Sequence, residues 1–248
     1  MNRLVLAFVA VLGFAQDARQ IVETAQERNR TNSQRYEGIL EVLDSGGKVS
    51  GKRWRYDRAG SYGHSKVVLR FVAPAEVKGV ALLIVNHPDR SSDQWMWTPA
   101  LQRERRIAFQ DRKARFFGTD FSFEDLEERD VDQYEYRLLG EEAVDGQPCW
   151  KIESRPRQTK TSQYTRTVGW IRKDIYVFVR WEMYIKEEMV KRLSYRNIQR
   201  VQNVWTPMEL EMNDLRRKSR TVMKTEKLQY SMPMKDEDFT LQALRRES

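Results

Sequence analysis

The sequence is poorest in the residues from which compact chemical sites are built. In 248 residues it has one cysteine, Cys149, and two histidines, His64 and His87. A single thiol excludes an intramolecular disulfide, and no Cys/His cluster is present to hold structural zinc. Flanked by Pro148 and Trp150 in a strand-like run, Cys149 reads as a small buried hydrophobe. The histidines lie in separate turn-like stretches and read as exposed loop residues. They show neither the H-x-x-x-H spacing of a metal pair nor a neighbouring G-x-S-x-G elbow. No glycine-rich phosphate loop occurs, since Ser45-Gly46-Gly47 stands alone as a hairpin turn. The expectation is no metal, no cofactor and no catalytic residue. Strand–helix–strand alternation is also missing, which argues against a parallel sheet.

The longest apolar run, residues 4–12, is far shorter than the roughly 20 residues that span a bilayer. It follows Asn2-Arg3 and precedes Gly13-Phe14-Ala15, which is the three-part layout of a secretory signal peptide. The expected organisation is a signal over residues 1–15 and a single domain over 16–248. No cysteine stands directly after the run, so no thiol is placed to carry a lipid anchor. The expected product is a soluble, monomeric periplasmic protein. The net charge is +8, spread and mixed in sign, with one dense stretch at Arg103-Glu104-Arg105-Arg106. Export fits poorly with nucleic acid. An anionic membrane surface, touched transiently, or an acidic partner fits better, and a merely solvated face explains the charge equally well.

Residues 17–30 carry Ala18, Ile21, Val22 and Ala25 at i, i+3, i+4 and i+7, the stripe of an amphipathic helix. After Asn29 the period changes to two. Strands are predicted over residues 36–42, 49–56, 66–72, 79–85 and 94–98, and again over 134–139, 149–154, 165–172, 177–185, 190–201, 205–212 and 219–230. Turn residues separate them, with Asp145-Gly146 a strong hairpin signal. The fold class is mainly β, an antiparallel sheet of about 11 strands or a dozen with a few helices. The stretch from Phe116 to Leu126 breaks the habit. Its phenylalanines at 116, 117, 121 and 123 must pack somewhere, and Thr119 or Ser122 could cap a short helix through Glu124, Asp125 and Leu126.

Three segments resemble the outer-membrane lipoprotein-sorting protein family, whose fold is shared with the LolA-like periplasmic lipoprotein carrier. They are Gln94-Trp95-Met96-Trp97-Thr98-Pro99-Ala100-Leu101 with Arg105-Arg106-Ile107, then Gly118-Thr119-Asp120-Phe121-Ser122-Phe123-Glu124-Asp125-Leu126, and Val144-Asp145-Gly146-Gln147-Pro148-Cys149-Trp150 with Asp238-Phe239-Thr240. The resemblance covers essentially all of the chain after the leader. It implies a strongly curved, incomplete (half) barrel with helices covering the concave face. It also implies an apolar cavity between them and a periplasmic protein that carries or senses acyl chains. At ~0.8 kcal/mol per methylene, a chain of about sixteen carbons is worth on the order of 12 kcal/mol out of water. It will not cross an aqueous compartment unsheltered.

Candidate cavity residues are Leu40, Trp54, Phe71, Leu83, Trp95, Trp97 and Phe121, large apolar side chains on strands and in the central segment; an ordinary core is the competing reading. Arg103, Arg105 and Arg106 are candidates for lipid phosphates or an acidic transporter surface, against a solvated hairpin tip. Asp120, Glu124 and Asp125 invite an acid/base reading, but Asp120 beside Thr119 suits a turn or cap, and adjacent helical residues point about 100° apart. Three functions compete: a carrier or accessory protein for lipid acyl chains or lipoproteins, serving an inner-membrane transporter and sorting to the outer membrane; a non-catalytic interaction subunit of an envelope complex with no lipid cargo; and a lipid hydrolase resting only on the acidic segment.

Overall fold

The computed structural model describes residues 17–158 and 162–246, so the signal expected over residues 1–15 lies outside the described residues. Helix α1 spans Ala18–Arg28; the Asp17 side chain caps it by accepting from the Arg19 amide at 3.1 Å. Its predicted stripe, Ala18, Ile21, Val22 and Ala25, is its buried face.

Thirteen strands follow, not about eleven. They are β1 Ser33–Leu43, β2 Val49–Ala59, β3 Lys66–Ala73, β4 Ala81–Val85, β5 Asp93–Thr98 and β6 Arg103–Arg106, then β7 Tyr134–Val144, β8 Gln147–Pro156, β9 Arg166–Arg172, β10 Phe178–Ile185, β11 Glu188–Val201, β12 Val204–Asp214 and β13 Ser219–Tyr230. A four-residue helix, α2 Leu241–Leu244, closes the described chain. All strands join one antiparallel sheet in the order β6-β5-β4-β3-β2-β1-β13-β12-β11-β10-β9-β8-β7. The chain thus meanders outward from β1 to the β6 edge. It crosses to the opposite edge through residues 107–133, here called the strap, and meanders back until β13 pairs with β1.

Register assigns each side chain to a face. Leu40, Trp54, Phe71, Leu82 and Met96 share the inner face on one side of the β1–β13 seam. Met223, Met212, Leu193, Trp181 and Ile152 continue it on the other. The strap lies on this face. Phe116, Phe121 and Phe123 are buried there, and Phe116 stacks on Phe71 with ring centroids 5.3 Å apart. Next to the strap, α1 covers Trp150, Ile152 and Ile171.

The strap also shows that the sheet is curved. Glu127 accepts from Gln94 of β5 at 2.6 Å, and Arg129 donates to Thr167 of β9 at 2.9 Å. Those strands are nine steps apart in the sheet order, ~43 Å if the sheet were flat at ~4.8 Å per step. Two residues of chain span only ~7 Å, and four side chains do not supply the rest. The sheet therefore curls into a half barrel with the strap as its crossbar; β6 and β7 remain unpaired edges. The second helix sits on the outer face. Phe239 and Leu244 pack there on Val68, Ala81 and Leu83. Arg70 pins this segment by donating to the carbonyls of Ala243 and Leu244, each at 3.1 Å.

Candidate functional site

Between α1, the strap and the inner face of the β10–β12 arm lies a cavity of about 300 Å³. Its apolar wall comes from Phe178, Trp181 and Met183 of β10, Leu193 and Tyr195 of β11, and Ala25 of α1, with Trp205 and Pro207 at one end of β12. Alternation places Trp181 and Met183 opposite Leu193 and Lys191 across the β10–β11 pair, so two strands present one continuous surface. The opposite wall is polar: Gln26 of α1 and Asn29 just after it, Tyr62 from the β2–β3 turn, and Glu124, Asp125, Glu127, Glu128 and Arg129 of the strap.

The strap carboxylates are spent on holding the strap. Asp120 is fully buried and accepts from Thr221 at 2.7 Å, Ser219 at 2.5 Å and Arg115 at 3.2 Å. Glu124 accepts from the Ser162 hydroxyl and from the Gln163 amide at 2.9 Å; burial raises its pKa. Asp125 accepts from Lys191 at 2.7 Å, the Tyr164 hydroxyl at 2.7 Å and the Ser122 amide at 2.7 Å. Burial alone would raise its pKa, but the Lys191 charge together with the hydrogen bonds from Lys191, Ser122 and Tyr164 outweighs that and holds it below the ordinary value. Glu127 lies against Gln94 and, at 3.1 Å, Arg112. Burial pushes its carboxyl up to about 7, with Arg112 opposing and Glu124 adding to the rise. Glu128 pairs with buried Arg58 at 2.8 Å and accepts from Ser65. Arg129 is different. Its guanidinium rests near the rings of Trp181, 5.1 Å to the centroid, and Tyr134, 5.4 Å. An apolar wall facing hydrogen-bonding groups suits an amphiphile, with chain and head on opposite sides.

Of the seven cavity candidates, Leu40, Trp54 and Phe71 come together with Phe121 of the strap in one buried cluster. Leu83, Trp95 and Trp97 lie on the outer face, under Phe239 and Leu244, because Leu83 pairs with Trp95 in the odd-numbered register of β4 and β5. None of the seven is among the residues lining the 300 Å³ cavity. Arg103, Arg105 and Arg106 occupy β6, exposed along a sheet edge. Arg106 is held by Asp93 at 2.6 Å. Asp93 also takes Arg90 at 2.7 Å and His87 at 3.0 Å, so His87 is half-buried in an ionic cluster and not a free loop residue. Bonds from Arg90 above all, then Arg106 and His87, hold the Asp93 carboxyl far below the usual carboxylate range. His64 is exposed, and Cys149 is buried as expected.

Of the residues that line the cavity, sequence reasoning singled out only Glu124 and Asp125; the apolar wall and Arg129 were missed. Trp181, Met183, Leu193 and Tyr195 carry the same alternating signal as Leu40, Trp54 and Phe71, and alternation alone does not separate a cavity wall from a filled core. Arg129 follows Glu127 and Glu128 in what reads as a solvated charge run.

Comparison with known proteins places this architecture. A family model described as an uncharacterized protein matches residues 63–246. No curated protein matches the chain. Among solved structures, a DUF1329 family protein from Desulfovibrio piger is 28% identical, with 92% of this chain and 97% of that one covered at a TM-score of 0.87. A domain assigned to the outer membrane lipoprotein-sorting proteins, from Vibrio parahaemolyticus, is 24% identical, covers 92% and 98%, and has a TM-score of 0.88. A LolA superfamily protein from Nitrosomonas europaea is 17% identical, covers 91% and 98%, and has a TM-score of 0.74. The chain belongs to the family which that model describes as an uncharacterized protein, and it has the half-barrel fold of the outer-membrane lipoprotein-sorting and LolA-superfamily proteins.

Proposed function

We propose that this protein binds lipid acyl chains in the cavity between α1, the strap and the β10–β12 arm. It acts in the periplasm, as a carrier or accessory protein in sorting lipids or lipoproteins toward the outer membrane, and receives them from an inner-membrane transporter. The observation that carries this reading is the cavity itself: an apolar wall of Trp181, Met183, Leu193 and Phe178 that faces about 300 Å³ of unfilled space on the inner side of the half barrel. The leader-like sequence at residues 1–15 and the description of the Vibrio relative as a lipoprotein-sorting domain support it.

The test is to express the full chain with its leader, purify it from the envelope fraction without denaturant, and analyse it by native mass spectrometry and lipid extraction. Co-purifying lipid that is lost in Leu193→Arg supports the reading. A clean apo protein that also fails to bind added amphiphiles removes it. A second reading is favoured by the packing of Phe116, Phe121 and Phe123 into the inner face. In it the half barrel is self-filled and serves as an interaction subunit of an envelope complex, and co-purification of a stoichiometric protein partner without lipid selects it.

A further inference from the structure

We infer that Arg129 is the receptor for an anionic head group, carboxylate or phosphate, of a single-chain amphiphile whose tail occupies the cavity. This rests on the acyl-binding reading and names the ligand class for that site. Three buried cations packed against the strap are each matched to a carboxylate: Arg58 to Glu128 at 2.8 Å, Arg112 to Glu127 at 3.1 Å, and Lys191 to Asp125 at 2.7 Å. Arg129 has no carboxylate within ion-pair distance among the described residues. Among the described residues its side chain makes one hydrogen bond, to the Thr167 hydroxyl at 2.9 Å, out of the five N–H donors a guanidinium carries.

A hydroxyl does not neutralise a charge, and a charge at an apolar wall is costly until a counter-ion arrives. The ring faces of Trp181 and Tyr134 hold the cation in place without consuming its in-plane donors. That leaves the planar fork preorganised for a two-oxygen acceptor. Glu124 is the remaining carboxylate on the lining without an ion pair among the described residues; its charge reaches Arg129 from beyond ion-pair distance, but its oxygens are turned to Ser162 and Gln163 and leave the guanidinium fork open. Apolar Trp181 both clamps the guanidinium and lines the cavity, so head and tail sites are contiguous. At ~30 Å³ per water-sized group, about 300 Å³ accommodates one short chain.

The experiment titrates the full protein with dodecanoate, dodecyl phosphate, dodecanol and inorganic phosphate, following tryptophan fluorescence and confirming by calorimetry. The two anionic amphiphiles should bind at least tenfold more tightly than dodecanol, ~1.4 kcal/mol or more. Arg129→Gln should abolish that preference while leaving the dodecanol affinity unchanged, and Arg129→Lys should retain part of it. Inorganic phosphate alone should bind weakly, because the tail supplies most of the affinity; phosphate binding as tight as dodecyl phosphate would make this a free-anion site and overturn the inference. Equal affinity for dodecanol and dodecanoate in the wild type, or an equal loss of both in a folded Arg129→Gln protein, also overturns it but leaves the acyl-binding reading standing. Binding of none of the amphiphiles removes both. The wild-type comparison decides the matter even if Arg129→Gln fails to fold.

Discussion

Asp120 is fully buried and joins the strap to β13 through Thr221 and Ser219, with Arg115 as its counter-charge. Replacing it with alanine strands the half-buried Arg115 charge and two hydroxyls, so Asp120→Ala should cost about 3–5 kcal/mol, read as a lowered denaturant midpoint. A near-neutral effect would show that the strap does not depend on this anchor. Glu127 makes a pH-dependent contribution. Its carboxyl ionises near 4.5 in the unfolded chain and near 7 when buried in the fold. Between those values the native state holds the extra proton, so stability falls as pH rises. The contribution is complete below pH 4.5 and gone above about 7. Melting temperatures across that window should decline more steeply for the wild type than for Glu127→Gln, which accepts from Arg112 without titrating; parallel curves would refute the assignment. At this scale the sequence was least legible. Asp120, Glu124 and Asp125 were visible as acidic residues in a distinctive segment, and a turn-and-cap role fitted better than acid/base chemistry. Their partners Thr221, Lys191 and Ser162 are 38 to 101 residues away, a pairing that no local pattern carries.

The elements were far more legible, for a physical reason. Alternation along residues 36–42, 49–56 and 219–230 reflects one buried and one exposed face per strand, and each predicted segment falls within or beside an observed strand. The missing strand is β6, Arg103–Arg106, four charged residues without an apolar side to alternate. It pairs through its backbone with β5, and charge along an unpaired edge discourages further strand addition. The leading helix was legible because its stripe is complete, whereas the second helix has four residues and is fixed from outside. Arg70 donates to its last two carbonyls, groups that a helix end leaves without partners. Arg70→Met should therefore free residues 241–246 from the outer face. Hydrogen exchange of those amides should accelerate at least tenfold while exchange in the strap stays unchanged. Unaltered protection at 241–246 would mean that Phe239 and Leu244 hold the segment without it.

Across the whole molecule, the half barrel is closed by its own chain and not by its edges. The strap crosses the opening between β5 and β9 and packs Phe116, Phe121 and Phe123 into the interior. The space that remains, about 300 Å³, sits at the lower end of ligand cavities and equals about ten water-sized groups. On the proposed acyl-binding reading, a second chain has room only if the strap leaves, and leaving breaks the Asp125–Lys191 and Asp120–Thr221 anchors together. The fold should therefore discriminate by chain number. A one-chain lysophospholipid should bind saturably without changing hydrogen exchange over residues 112–129. The two-chain phospholipid with the same head group should bind at least tenfold more weakly, and its binding should raise exchange across the strap. Weakening the strap with Lys191→Met should narrow the gap by easing two-chain entry, with little effect on the one-chain ligand. Equal affinities for the two lipids in the wild type, with a protected strap in both complexes, would mean that the cavity is not the limiting space and that the cargo binds elsewhere on the half barrel.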